Sequence, residues 1–199
     1  MKFYTKKVGF VILYTMFTGI IASGILSIEG LVVLKIGLLL ANIALFLYIS
    51  CGITYQDGQK SYKILLSNDR EREYMIKTGD ICDICTTNEY HIRKGFLIGV
   101  FACVPLIILL ALNLIITSAN PQNVVVGEIA GFLYLPIYAF FNLDVANVHQ
   151  ELMYAPYYWT LLIIPLLVIS QGVAYYLGAK KIEAQQESIK RTHQSIYGD

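Results

Sequence analysis

The apolar residues of this chain fall in long unbroken runs, and runs of that length restrict what it can fold into. Residues 8–28, 31–53, 96–117 and 157–178 carry a single charged side chain between them, Lys35. At 1.5 Å rise per residue, a helix of about 20 residues crosses the roughly 30 Å hydrocarbon core of a bilayer. Backbone N–H and C=O groups find no water there, so such a run must bond within itself as a helix. Composition agrees: 56% of the 199 residues are hydrophobic and 15% are charged, where a soluble domain carries about a quarter charged residues. The expected fold is all-α, an integral membrane four-helix bundle. The net charge of +1 gives no electrostatic ground for a nucleic-acid partner. The expected partners are the lipid bilayer and, within it, a second copy or another membrane subunit.

Lys2, Lys6 and Lys7 before the first run resemble the start of a secretory signal, and Ala22-Ser23-Gly24 offers small residues near a cleavage site. The run from 8 to 28 exceeds the 7–15 residues of a signal core, so it is expected to stay as a transmembrane helix. A fifth run, 129–143, is short for a crossing and contains Pro136. It is expected to be re-entrant or interfacial on the outer side.

Basic residues set the orientation. With the N-terminus in the cytoplasm, the loop 54–95 is inside and carries Lys60, Lys63, Arg70, Arg72, Lys77, Arg93 and Lys94. The region 118–156 is outside and has no Lys or Arg. The tail 179–199, with Lys180, Lys181, Lys190 and Arg191, returns inside. All of the 15 basic residues except Lys35 then lie on the cytoplasmic side. A fifth span would put the basic tail outside. Four spans with both termini inside are therefore expected. Lys35 is placed to snorkel outward, toward Glu29.

The second and fourth runs end alike. Ile49-Ser50-Cys51-Gly52-Ile53-Thr54-Tyr55 continues to Gly58 and Lys60, and Ile169-Ser170-Gln171-Gly172-Val173-Ala174-Tyr175 continues to Gly178 and Lys180. The starts of the first and third runs agree more weakly, Gly9-Phe10-Val11-Ile12 against Gly95-Phe96-Leu97-Ile98. A duplicated helical hairpin explains this, giving two repeated hairpins related by an axis along the membrane normal. Convergence also explains it, because Tyr and Lys are favoured at cytoplasmic helix ends. Gly58 and Gly178 stand where a helix can end or bend. At the Tyr-x-x-Gly-x-Lys ends the chain resembles small multipass membrane proteins of Gram-positive bacteria. That resemblance implies a bacterial plasma-membrane location and no particular activity.

Chemistry-bearing residues are few. Cys82-Asp83-Ile84-Cys85 is a C-x-x-C, with His91 beyond it. Cys82 and Cys85 suit a shared metal or a redox pair, but a structural zinc site needs four ligands and the loop has no second pair. Alternatively Ile81, Cys82, Ile84 and Cys85 form the apolar side of a juxtamembrane segment. Glu128, Asp144, His149 and Glu151 make an outer group able to take a cation or a basic partner, or simply flank an interfacial helix in solvent. Within the spans, Asn42, Asn113 and Gln171 are the polar residues that either line a cavity or hydrogen-bond between helices. No Asp, Glu or Arg lies deep in a span, which counts against a proton-coupled pump.

Pro105 and Pro165 are expected to interrupt the third and fourth helices. Gly95 with Gly99, and Gly19 with Ser23, are candidate packing faces. Asn68 or Asp69 is expected to cap a separate cytoplasmic helix. The tail is expected to continue the last helix, with Glu187 and Arg191 at i, i+4. No nucleotide-binding glycine loop, H-E-x-x-H or G-x-S-x-G is present. No cofactor is expected. The functional expectation is a non-enzymatic component of a membrane assembly, with a small transporter or channel as the alternative.

Overall fold

A computed structural model describes residues 2–28, 32–79, 84, 86–119 and 160–197. Among these residues the chain is all-helical. Four long helices carry the fold: α1 (Lys2–Leu26), α2 (Val32–Thr78), α3 (Arg93–Ala119) and α4 (Ile163–Tyr197). Short 3-10 turns at Thr86–Asn88 and Thr160–Leu162 precede α3 and α4. Three helices contain stretches long and apolar enough to cross a membrane, at Lys7–Leu26, Val32–Thr78 and Arg93–Leu112. The fourth apolar run of the sequence, 157–178, begins outside the described residues, and α4 takes up the rest of it. The re-entrant or interfacial segment expected over 129–143 lies outside the described residues.

Apolar side chains cover the outside of the bundle as well as filling its core. Large apolar side chains point outward: Leu13, Phe17 and Ile20 of α1, Val33 and Leu40 of α2, and Ile107, Ile108 and Ile115 of α3. The buried polar side chains include Thr15, Thr18, Asn42, Ser50, Thr54 and Gln171. Water drives apolar groups inward, whereas lipid does not, and small or polar residues then favour the helix contacts. Lys35 is largely covered, at 9% exposure, rather than extended into solvent.

Each helix buries one stripe. In α2 it runs Lys35, Leu39, Asn42, Phe46, Ser50, Thr54, Gly58, Ser61 and Asn68. The steps are of three or four residues as far as Ser61, which keeps them on one face. α2 packs against α1 and α4, and α3 packs against α1 and α4. Val11, Phe46, Ala102, Cys103, Leu106, Leu110 and Leu167 bring all four helices into one core. Gly95 and Gly99, the expected packing face of α3, are used against α4. A Cβ at Gly99 would stand 2.6 Å from Val168 Cα, and one at Gly95 2.5 Å from Tyr175 Cβ.

Three local expectations are corrected. α2 is one continuous helix of 47 residues, about 70 Å long, so no separate helix starts at Asn68 or Asp69. It ends at Gly79, whose φ of 77° and N–H bond to Met75 O close the last turn. Neither Gly58 nor Gly178 ends its helix; both lie in helix interiors. Pro105 lies inside α3, but Pro165 falls in the first turn of α4, where its missing N–H leaves no intrahelical bond unmade. The tail does continue α4 to Tyr197, with Glu187 and Arg191 4.0 Å apart.

The stripe geometry separates glycines that pack from glycines that do not. Replacing Gly99 with Leu forces a side chain onto the α4 backbone and should cost about 1–3 kcal/mol of stability. Gly37→Ala meets open space and should leave stability unchanged or higher. Thermal unfolding in detergent checks the contrast, and equal losses in the two variants would contradict this packing.

Candidate functional site

Among the described residues, α2 and α4 form the most extensive contact between helices. They meet through the residues that the sequence repeats. A Cβ on Gly58 would collide with the carbonyl of Tyr175, and a Cβ on Gly178 with the carbonyl of Tyr55. A helix carbonyl points toward the C-terminus, less than half a turn beyond its own Cα. Contacts advance in the same direction along both helices, from Cys51 against Ser170 to Gly58 against Tyr175. The two helices run parallel here and touch backbone to backbone. Aligning Tyr55 with Tyr175 and Gly58 with Gly178 makes these one contact formed twice, with the helices exchanged. Glycine is required at both points because any side chain would push the backbones apart.

One turn before Tyr55 and Tyr175, the same alignment pairs Cys51 with Gln171. Gln171 Nε2 lies 4.0 Å from Cys51 Sγ, and the thiol reaches Ser170 O at 3.6 Å. Thr54 Oγ1 donates to Gln171 Oε1. Gln171 is fully buried, yet both ends of its amide have partners on α2. A buried amide with both ends matched holds the register of the two helices, since sliding either one breaks the set.

Asn42 sits in the α1–α2 contact and donates from Nδ2 to Thr18 O at 2.9 Å. Its Oδ1 is buried without a partner among the described residues. Thr15 and Thr18 bond back to carbonyls of their own helix, at 2.8 Å to Val11 O and 3.0 Å to Tyr14 O. Asn42 and Gln171 therefore face neighbouring helices in two separate contacts. Asn113 belongs to α3, but its side chain is outside the described residues, as are Cys82, Cys85, Glu128, Asp144, His149 and Glu151. Among the described residues, no three His, Cys, Asp or Glu side chains converge to hold a metal ion.

Two further features, not among the sequence expectations, join the helices. Lys7 of α1 forms an ion pair with Asp57 of α2, both side chains about seven-eighths covered. The antiparallel α1–α2 hairpin puts both residues away from its connecting turn, so topology alone brings them level. The second feature is the segment leading into α3. Glu89 accepts from Asn68 Nδ2 at 2.7 Å and from Arg72 at 2.5 Å, while Lys94 Nζ donates to Glu89 O at 2.6 Å. The Tyr90 ring stacks on Tyr175 at 5.3 Å and meets Tyr62 edge-on at 5.6 Å. Burial pushes the Tyr90 phenol above its ordinary pKa, so the ring stays neutral at physiological pH. No family model matches the chain, and neither a curated protein nor a solved structure shows significant similarity to it.

Thr54→Val leaves one end of the Gln171 amide buried and unmatched, at a cost of about 1–3 kcal/mol. The double variant Thr54→Val/Gln171→Leu should lose less than the two single losses added. A thermodynamic cycle from unfolding in mild detergent measures this coupling, and strict additivity would remove the bond from the account.

Proposed function

We propose that the chain is a four-span component of a membrane assembly, with both termini in the cytoplasm, and that it acts by holding and presenting helices rather than by catalysis. Its proposed location is a bacterial plasma membrane. The observation that carries the reading is how the intramembrane polar groups are used. Asn42 binds the backbone of α1, and Gln171 is matched by Thr54 and Cys51, so both serve helix contacts. A solute path needs such groups turned into a shared cavity. The apolar outer faces of α1, α2 and α3 suit lipid.

The second supporting feature is reach. α2 continues about 20 residues past Gly58, and α4 continues to Tyr197, so both extend well beyond the part of the bundle where they cross. In the proposed topology these extensions stand in the cytoplasm. Exposed Tyr74 and Ile76 on α2, and Ile189 and Ile196 on α4, give them apolar points for a partner subunit or a second copy. The duplicated-hairpin reading belongs here too. The reciprocal Gly58 and Gly178 contacts are what two copies of one hairpin would make on fusion.

Two measurements test the proposal. A membrane-impermeant thiol reagent applied to intact cells should leave Cys82 and a cysteine placed at Lys190 unlabelled until the membrane is permeabilised. Labelling of either position from outside would refute the topology. Purification in mild detergent should retain a second copy or another subunit. A strictly monomeric protein that passes ions or solutes in reconstituted vesicles would instead establish the transport alternative.

A further inference from the structure

We infer that the segment 86–94 is a latch: a locally releasable strap that fixes the cytoplasmic ends of α2, α3 and α4 in one arrangement. The inference rests on where the strap is attached and on what the attachment points touch. Its first attachment is the Glu89 side chain, which takes hydrogen bonds from Asn68 and Arg72. Both donors lie on α2 well past Gly58, in its cytoplasmic extension. Its second attachment is the Tyr90 ring, stacked on Tyr175 of α4 and edge-on to Tyr62 of α2. Lys94, at the start of α3, closes the strap onto Glu89 O. Within six residues the strap thus grips three helices.

Tyr175 makes this more than a surface loop at rest. It is fully buried, and three elements meet on it. Its carbonyl lies against Gly58, its Cβ against Gly95 of α3, and its ring under Tyr90. Its hydroxyl side approaches Ser61 of α2 and the backbone of His91. Lifting Tyr90 uncovers the residue on which α2, α3 and α4 converge. The strap itself is lightly held. Thr86, Asn88 and Ile92 are exposed, and Arg72, which grips Glu89, also bonds Asp69 at 2.6 Å. A segment with few buried apolar contacts and a handful of polar attachments opens far more often than the helices it covers. A change on the α2 extension at Asn68 or Arg72 is thereby passed to the crossing through Glu89 and Tyr90.

Hydrogen–deuterium exchange on the full chain in nanodiscs tests this. Glu89→Ala should raise exchange roughly tenfold or more over 86–94. The rise should carry into residues 61–72 of α2 and 172–182 of α4, with α1 unchanged. Tyr90→Ala should give the same linked pattern, while Tyr90→Phe, which keeps the ring stack, should resemble the parent chain. Arg72→Ala supplies an independent variant that leaves the strap sequence intact and should reproduce the Glu89→Ala pattern. A rise confined to 86–94 in these variants would show a passive loop and overturn the latch. An unchanged exchange map in Glu89→Ala and Tyr90→Ala would overturn it equally. None of these readouts depends on a partner subunit, so the proposed scaffold role and the latch can fail separately.

Discussion

The contact on which the rest of the structure depends is the meeting of two backbones at Gly58 and Gly178. In lipid no hydrophobic effect pulls one apolar helix toward another, so close van der Waals contact has to do that work. Two glycines at one level let α2 and α4 approach until carbonyls, not side chains, set the distance. The remaining features are arranged around that approach. Gln171 with Thr54 and Cys51 fixes the register on one side of it. Tyr175, stacked under Tyr90, fixes it on the other. α3 then reaches the pair because Gly95 and Gly99 give it the same freedom against α4.

Much of this was legible in the sequence, but unevenly. Apolar run length predicts helices because the bilayer leaves no other choice for the backbone. The shared Gly and Tyr positions in the second and fourth runs pointed to the right residues. Local rules assigned them the wrong task, since a helical Gly near a polar stretch reads as a stop when only chain neighbours are considered. The same blindness explains Asn68. Followed by Asp69 and Glu71, it looks like a cap, yet it lies inside the last third of α2 and serves Glu89 from there. Pro165 reads as an interruption until the helix start at Ile163 is known.

The candidate site was legible in part for a related reason. Asn42 and Gln171 stand out because amides are rare in apolar runs, but sequence cannot say whether an amide faces a cavity or a neighbouring helix. Thr18 O and Thr54 supply that answer only once the helices are packed. Glu89 and Tyr90 gave no signal at all. A carboxylate and an aromatic ring in a polar loop are ordinary until three helices are found beneath them. Lys7 and Asp57 were within reach, since the inferred hairpin already placed them at one height.

The unbroken length of α2 has a mechanical consequence. A continuous helix held near its middle acts as a lever. About 20 residues separate Gly58 from Thr78, an arm of about 30 Å. A tilt of roughly 10° about the glycine contact would swing the far end by about 5 Å while the pivot hardly moves. Packing against neighbouring helices sets helix tilt. A small change in packing at the crossing would therefore register at Thr78 as a sideways displacement, much larger than anything felt at the crossing itself.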